Sequence, residues 1–197
     1  ALLADGSVVV TWESYGVDGD NWGIASRRID ASGQLVGVSD TVVNATTTDH
    51  QGNPSIAALT DGDYVITWNS YNHDGSDWGI YAQRFNADGT RDGQEFLVNT
   101  LTDSTQTYPS IAGLSDGGYV IAWQTYTGAD SDNSGYGIAG QRYDASGNAV
   151  GGEFLINGVG YQDQTQVTLV AAPDGGDASI RVEQVGGAMQ RHNGLAR

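Results

Sequence analysis

One pattern returns along this sequence about every 55 residues, and it constrains the fold more than any other feature. The run Pro-Ser-Ile-Ala, one variable residue and Leu occupies positions 54–59 and occurs again at 109–114. Each copy continues through an Asp-Gly pair into an apolar segment that ends in tryptophan. These segments end at Trp12, Trp68 and Trp123, so the first copy shows the same order without its opening run. The chain is therefore a tandem array of one small unit.

Each unit reads as four short strands, which we letter A to D. An Asp-Gly pair between A and B is a strong hairpin signal, and glycine between C and D supplies a positive φ angle. Four antiparallel strands at this interval are typical of a β-propeller, so the predicted fold class is all-β, with about four propeller or propeller-like units. The last copy lacks the tryptophan and is predicted to be degenerate. Within a single domain, 1–197, the predicted repeats are 1–53 (partial), 54–108, 109–166 and 167–197 (degenerate, partial).

The number of strands leaves the closure of the ring open. The array starts with a strand B pattern and stops with a strand C pattern, which makes about three and a half units. Three arrangements are compatible with that count. The chain forms a compact ring with one short blade, belongs to a larger propeller with neighbouring domains, or shares blades in a homo-oligomer.

Charge and composition exclude several classes of function. The chain has 24 acidic residues, 8 basic residues, all of them arginine, and a formal net charge of −16. Such a field repels nucleic acids and anionic membranes, so neither is predicted as a partner. Cysteine is absent, which excludes disulfides and thiol catalysis. No run of 18 apolar residues is present, so membrane insertion by a helix is not predicted.

The loops between strands B and C contain clustered acids and amides. Short loops of Asp, Asn and Gly supply the oxygen ligands that calcium prefers, and none of the three loops matches the full EF-hand pattern. Calcium is therefore the predicted cofactor. An alternative is that these are solvated turns, because the same residues favour turns for conformational reasons. The candidate metal ligands are Asp18, Asp20, Asn21, Asp74, Asp77, Asp130, Asp132 and Asn133.

Aromatic residues flank each of the same loops. Aromatic faces beside carboxylates and amides are typical of sugar-binding sites, so these residues are candidate ligand contacts. The alternative is that they only cover the ends of the sheets. The candidates are Tyr15, Trp22, Tyr71, Trp78, Tyr126 and Tyr136.

Three further series of equivalent residues are predicted to be structural. The strand B tryptophans are predicted to lie in the core, where the small residues Ser26, Ala82 and Gly140 of strand C make room for the indole rings. Arginine near the end of strand C (Arg28, Arg84, Arg142, Arg191) is predicted to clamp turns, with an anion site as the alternative. The series Asn44, Asn99, Asn157 and Gln51, Gln106, Gln164 is predicted to fix the D–A connections by bonds to the backbone.

The repeat resembles those of large secreted bacterial proteins of the hemolysin-type (RTX) calcium-binding and adhesin-like class. The shared elements are Pro-Ser-Ile-Ala-x-Leu-x-Asp-Gly-x-Tyr-Val-Ile-x-Trp, then Gly-Ile-x-x-Gln-Arg, then Glu-Phe-Leu before the closing Asn. This resemblance implies type I export, an extracellular bacterial location and a multidomain parent. The Gly-Gly-x-Gly-x-Asp calcium motif of that class does not occur in this sequence, so no ligand position is carried over from it.

The leading hypothesis for function is an extracellular calcium-binding module for recognition or adhesion, with a glycan or a cell surface as partner. One alternative is a purely structural spacer of a large adhesin. Another is a polysaccharide-degrading enzyme whose site lies in the central funnel of the propeller. The three histidines occupy non-equivalent positions and form no metal pattern, and the acids are too numerous to single out a catalytic pair. No catalytic residue is therefore predicted.

Overall fold

The computed structural model describes residues 1–126, 135–157 and 165–170, and within these ranges the chain consists of β-strands and their connections. The described residues contain no helix that is long and apolar enough to cross a membrane. Candidate ligands Asp130, Asp132 and Asn133 lie outside the described ranges, as do Gln164 and Arg191.

Eleven strands form three antiparallel sheets in chain order. The first sheet contains β1 (Val8–Tyr15), β2 (Trp22–Ile29) and β3 (Thr41–Val42). The second contains β4 (Gln51–Ala58), β5 (Tyr64–Tyr71), β6 (Trp78–Phe85) and β7 (Arg91–Leu97). The third contains β8 (Gln106–Gly113), β9 (Tyr119–Tyr126), β10 (Tyr136–Tyr143) and β11 (Ala149–Leu155). The predicted all-β architecture of four-stranded antiparallel units is confirmed.

Neighbouring sheets pack face to face through the buried side chains of their middle strands. Val9 and Ile24 of the first sheet share one apolar cluster with Ile66 and Trp68 of the second. Val65 of the second sheet shares the next cluster with Ile121 and Trp123 of the third. Because alternate residues of β5 contribute to both clusters, this strand is apolar on both faces. That explains why its sequence shows no polar alternation.

The tryptophans occupy equivalent positions in different surroundings. Trp68 is 1% exposed against the first sheet, and Trp123 is 0% exposed against the second. Trp12 is only half-buried, because its side of the first sheet faces away from the second sheet and no described element covers it. The prediction that all three lie in the core is therefore wrong for Trp12.

The small residues of strand C make room for a different indole ring from the one predicted. Ala82 pairs with Thr67, so its side chain lies on the opposite face from Trp68. It shares a buried cluster with Trp123 of the following sheet. The prediction that Ala82 lies beside a tryptophan is therefore correct, but the tryptophan belongs to the next repeat.

A segment of the fourth repeat packs against the third sheet. Val167 and Leu169 are buried in a cluster with Val120 and Ile138, and the Leu169 amide donates to Ser110 Oγ at 2.8 Å. Gln166 has a φ of 56°, close to the 53° of its equivalents Asn53 and Tyr108. Residues 165–170 thus follow the course of a strand A, although they form no ladder.

Arginine clamps join adjacent sheets at the end that carries the A–B and C–D turns. Arg84 donates to Asp61 Oδ2 at 2.7 Å and to Asp63 Oδ2 at 2.8 Å within its own sheet. It also donates to the Ala145 carbonyl of the third sheet at 2.6 Å. Arg28 repeats this arrangement on Asp5, whose pKa is lowered to about 2, chiefly by hydrogen bonds from Ser7 and also by Arg28. The prediction of an internal clamp is confirmed for these two arginines.

The D–A connections are fixed at the opposite end by buried amides. Asn99 Oδ1 accepts from the Ile80 amide at 2.7 Å, while Asn99 Nδ2 donates to the Leu101 carbonyl and to Gln106 Oε1. Asn44 makes the same set of bonds in the preceding repeat. The predicted role in the connections is confirmed for Asn44 and Asn99. Their hydrogen bonds hold this end of the first and second sheets in place.

Candidate functional site

The B–C loops and the D–A connections lie together at this second end of the sheets. Asp20 Oδ2 accepts from the Asp49 amide at 3.0 Å, so the first loop contacts the connection that leads into the second sheet. In the next repeat, Ser76 Oγ accepts from the Ser104 amide at 3.1 Å in the equivalent contact, and Asp77 Oδ2 also accepts from the Thr105 hydroxyl. This end of the array therefore presents the loops in which the sequence predicted both metal and sugar contacts.

The described acids of these loops are hydrogen-bond acceptors within their own repeats. Asp18 Oδ2 accepts from Asn44 Nδ2 at 2.5 Å, and Asp74 Oδ2 accepts from Asn99 Nδ2 at 3.3 Å. The glycine that opens strand C allows this approach, because a Cβ at Gly79 would lie 2.5 Å from Asp74 Oδ2. Within the described part of the chain, no group of three or more His, Asp or Glu side chains is arranged to hold a metal ion. The role of calcium stays a prediction.

The predicted aromatic contacts form an edge-to-face pair in each repeat. The ring centroids of Tyr71 and Trp78 are 5.1 Å apart, and those of Tyr126 and Tyr136 are 5.0 Å apart. Tyr15 and Trp22 are 5.5 Å apart, and Tyr15 is 71% exposed. The pairs place one aromatic ring at the start of strand C in each of the three described sheets, on the side where adjacent sheets meet.

An open cavity of about 650 Å³ separates two of these rings and extends from the second sheet across the end of the third sheet to residues 165–166. Trp78 lies on the side of the second sheet and Tyr136 on the side of the third. Among the described residues of the lining, Asp77 is the acidic one and none is basic. The cavity is lined by Asp77, Trp78, Thr105, Thr107, Tyr108, Gln124, Tyr136, Thr165 and Gln166.

Gln124 is the most informative residue of this lining. Its side chain is 6% exposed, and its Oε1 atom has no hydrogen-bond partner. A buried acceptor without a donor costs about 1–3 kcal/mol, so such atoms need a reason to persist. Because Gln124 lines the cavity, a ligand that donates a hydrogen bond there satisfies it.

The cavity brings together Trp78 and Tyr136, which the sequence predicted as sugar contacts, and Asp77, which it predicted as a metal ligand, while Gln124, Thr105 and Tyr108 were not singled out. One signal for Gln124 was available, because its equivalents Glu13 and Asn69 are also polar in an otherwise apolar strand. Nothing in the repeat pattern marks Thr105, which differs from its equivalent in the preceding repeat.

The strands that lie nearest the axis of the array carry no acid. β4 and β8 lie side by side, and neither contains Asp or Glu; the same is true of residues 165–170. A second cavity, of about 370 Å³, lies between these three segments and is lined only by uncharged residues. Glycoside hydrolysis ordinarily requires two carboxyl groups on either side of the bond to be broken. The described residues of both cavities supply one, Asp77.

No protein-family model matches the sequence, and no curated protein matches it. Among solved structures, the chain is similar to an endo-arabinase from Bacteroides thetaiotaomicron, with a TM-score of 0.56 and 17% identity over 94% of this chain and 68% of that one. It is also similar to an α-L-arabinanase from Penicillium chrysogenum complexed with arabinobiose, with a TM-score of 0.58 and 16% identity over 94% of this chain and 51% of that one. The fold is a β-propeller.

A third propeller of this kind, an α-L-arabinofuranosidase from Lactobacillus brevis, has a TM-score of 0.56 and 8% identity over 97% of this chain and 66% of that one. The chain thus spans between 51% and 68% of the length of these three enzymes. At such low identities the likeness establishes the fold and leaves the activity of this propeller to be argued from its own residues.

The resemblance to RTX adhesin repeats is wrong. The solved structures that the propeller matches are arabinanases and related glycoside hydrolases. The repeat pattern misled because it reports the strands, turns and packing of a propeller blade, which unrelated families share.

Proposed function

We propose that this propeller binds a neutral oligosaccharide in the open cavity that extends from Trp78 of the second sheet across the end of the third sheet. The observation that carries the proposal is Gln124, a buried side chain whose Oε1 atom lacks a donor where it borders an open cavity. A sugar hydroxyl is a donor of the right kind, because it can give one hydrogen bond and accept others.

The rest of the lining supports a sugar over other small ligands. Trp78 and Tyr136 offer aromatic faces for the C–H surfaces of a sugar ring, while Thr105 and Thr107 add hydroxyl groups. The described residues that line the cavity include no cation, and the chain has a net charge of −16, so uronates and other anionic sugars are disfavoured. Arabinobiose is the first probe to test, because a structural neighbour was solved in complex with it.

Hydrolysis of a polysaccharide is the second candidate, and the propeller fold shared with arabinanases is what favours it. Binding is preferred because Asp77 is the one carboxylate among the described residues that line the cavity. The release of reducing ends from arabinan by the wild-type protein, and its loss in Asp77→Asn, would establish hydrolysis instead.

We expect Trp78→Ala to weaken oligosaccharide binding by more than about tenfold, and Gln124→Leu by about tenfold. The first change removes a stacking surface, and the second removes an acceptor while keeping the volume of the side chain. Isothermal titration with arabinobiose and longer neutral oligosaccharides measures both effects. Trp22→Ala is the matched control, because Trp22 is the equivalent residue at the other sheet junction and does not line the cavity. A wild-type protein that binds none of these sugars would overturn the proposal.

We further propose that calcium binds in the B–C loops and that the protein is extracellular. A calcium site would stabilise the folded protein, so a chelator would then lower its melting temperature, whereas solvated turns predict an unchanged melting curve. Secretion accords with a ligand that is a polysaccharide. Finding the protein only in the cytoplasm of its native cell would contradict the proposed extracellular location.

A further inference from the structure

The junction between the first and second sheets repeats the components of the cavity one repeat earlier. Trp22 is the equivalent of Trp78 there, and Trp78 itself takes the position that Tyr136 holds at the later junction. The main chain follows the same course in both places. The Tyr71 amide donates to the His50 carbonyl at 2.8 Å, and in the next repeat the Tyr126 amide donates to the Thr105 carbonyl at 2.9 Å.

A buried amide without a full set of partners also lies at the equivalent end of the second sheet, on the face of β5 opposite to Trp68. Asn69 corresponds to Gln124, is 1% exposed, and its Nδ2 atom has no hydrogen-bond partner. Its Oδ1 atom accepts from Asn53 Nδ2 at 2.9 Å. The unsatisfied group is therefore a donor in Asn69 and an acceptor in Gln124. A sugar hydroxyl complements either one.

One difference between the two junctions is the residue that lies between the aromatic rings. His50 stands where the later junction has Thr105, and its ring centroid is 6.2 Å from that of Trp22 and 5.2 Å from that of Trp78. Its Nε2 atom is 3.6 Å from Glu13 Oε2 and makes no hydrogen bond. The imidazole ring thus fills the space between the indoles by aromatic packing, whereas the smaller threonine leaves the equivalent space open.

We infer that the first junction is a second sugar site which His50 closes, and that residue size at this position decides how many sites the array offers. The ligand class, a neutral oligosaccharide, rests on the proposed function of the open cavity. The closing role of His50 rests on its own contacts with the two indoles and does not depend on the ligand.

His50→Thr tests the inference with two independent measurements. We expect acrylamide to quench tryptophan fluorescence more strongly in the variant, since Trp22 and Trp78 each lose a covering ring. We also expect titration with the oligosaccharide that the wild-type protein binds to change from one site per chain to two. His73→Thr is the matched control, because it removes a histidine whose ring stacks on Tyr81 rather than on Trp22 or Trp78 and whose Nε2 atom bonds Thr46 Oγ1 at 2.9 Å.

The reciprocal change, Thr105→His, keeps every aromatic residue and is expected to reduce binding at the open cavity by at least tenfold. Unchanged quenching in His50→Thr would overturn the closing role, and stronger quenching with still one site per chain would overturn the second site. If the wild-type protein binds no sugar, the proposed function fails and the ligand class with it, while the quenching result still decides whether His50 closes the junction.

Discussion

Replacing Trp68 with alanine is expected to lower the free energy of unfolding by about 3–5 kcal/mol, the largest effect of any single truncation proposed for this chain. Trp68 is 1% exposed and shares a cluster with Val9, Ile24 and Ile66 at the interface between the first and second sheets. Its removal takes away the burial of an indole and leaves a void that two stiff sheets cannot close.

Urea denaturation followed by circular dichroism measures this loss, with Trp12→Ala as the matched control. Trp12 has the equivalent position in an outer strand, where β1 pairs only with β2, and it is half-buried because no described element covers its face of the sheet. We expect its replacement to cost about 1–2 kcal/mol, in proportion to the smaller area that it buries. Equal losses in the two variants would mean that the Trp12 face is covered in solution, contrary to the packing described above.

Asn99→Ala is expected to destabilise the protein by about 3 kcal/mol or more, although the change removes only a small polar side chain. The amide of Asn99 accepts from the Ile80 amide and donates to Gln106 Oε1, and both partners are buried. Alanine leaves these two polar groups without partners and away from water. Each such group costs about 1–3 kcal/mol.

Asn86→Ala serves as the control for this prediction. Asn86 lies in the turn after β6, and its side chain donates to Thr90 Oγ1 in an exposed hydrogen bond at 3.0 Å. Water replaces that partner, so we expect a loss within about 0.5–1 kcal/mol. Comparable losses at the two sites would show that Asn99 contributes no more than an exposed turn residue.

The two predictions concern different interactions that hold the blades together, namely apolar burial and hydrogen bonding. Trp68 contributes nondirectional burial between faces, which tolerates sliding of one sheet over the other. Asn99 contributes directional hydrogen bonds that fix the position of the connection between β7 and β8. The cavity beside Trp78 depends directly on the Asn99 bonds, because they fix the connection between β7 and β8 that carries Thr105.

Repetition in the sequence was enough to determine the strands, their order and the residues that hold the turns. Each of these depends on local geometry or on a neighbour within the same repeat, so equal spacing implies equal structure. Asn99 and Arg84 were predicted correctly for this reason, since their main partners lie in turns and connections of the pattern itself.

Only the tertiary structure decided what lies between the repeats. It showed that Trp12 lacks the cover that Trp68 has, that Ala82 faces the indole of the next sheet, and that Gln124 borders a cavity. The physical reason is that a sheet has two faces, and sequence periodicity does not tell which neighbour each face meets or how closely. At the sugar site the outcome depends on one side chain, since histidine fills the gap that threonine leaves open.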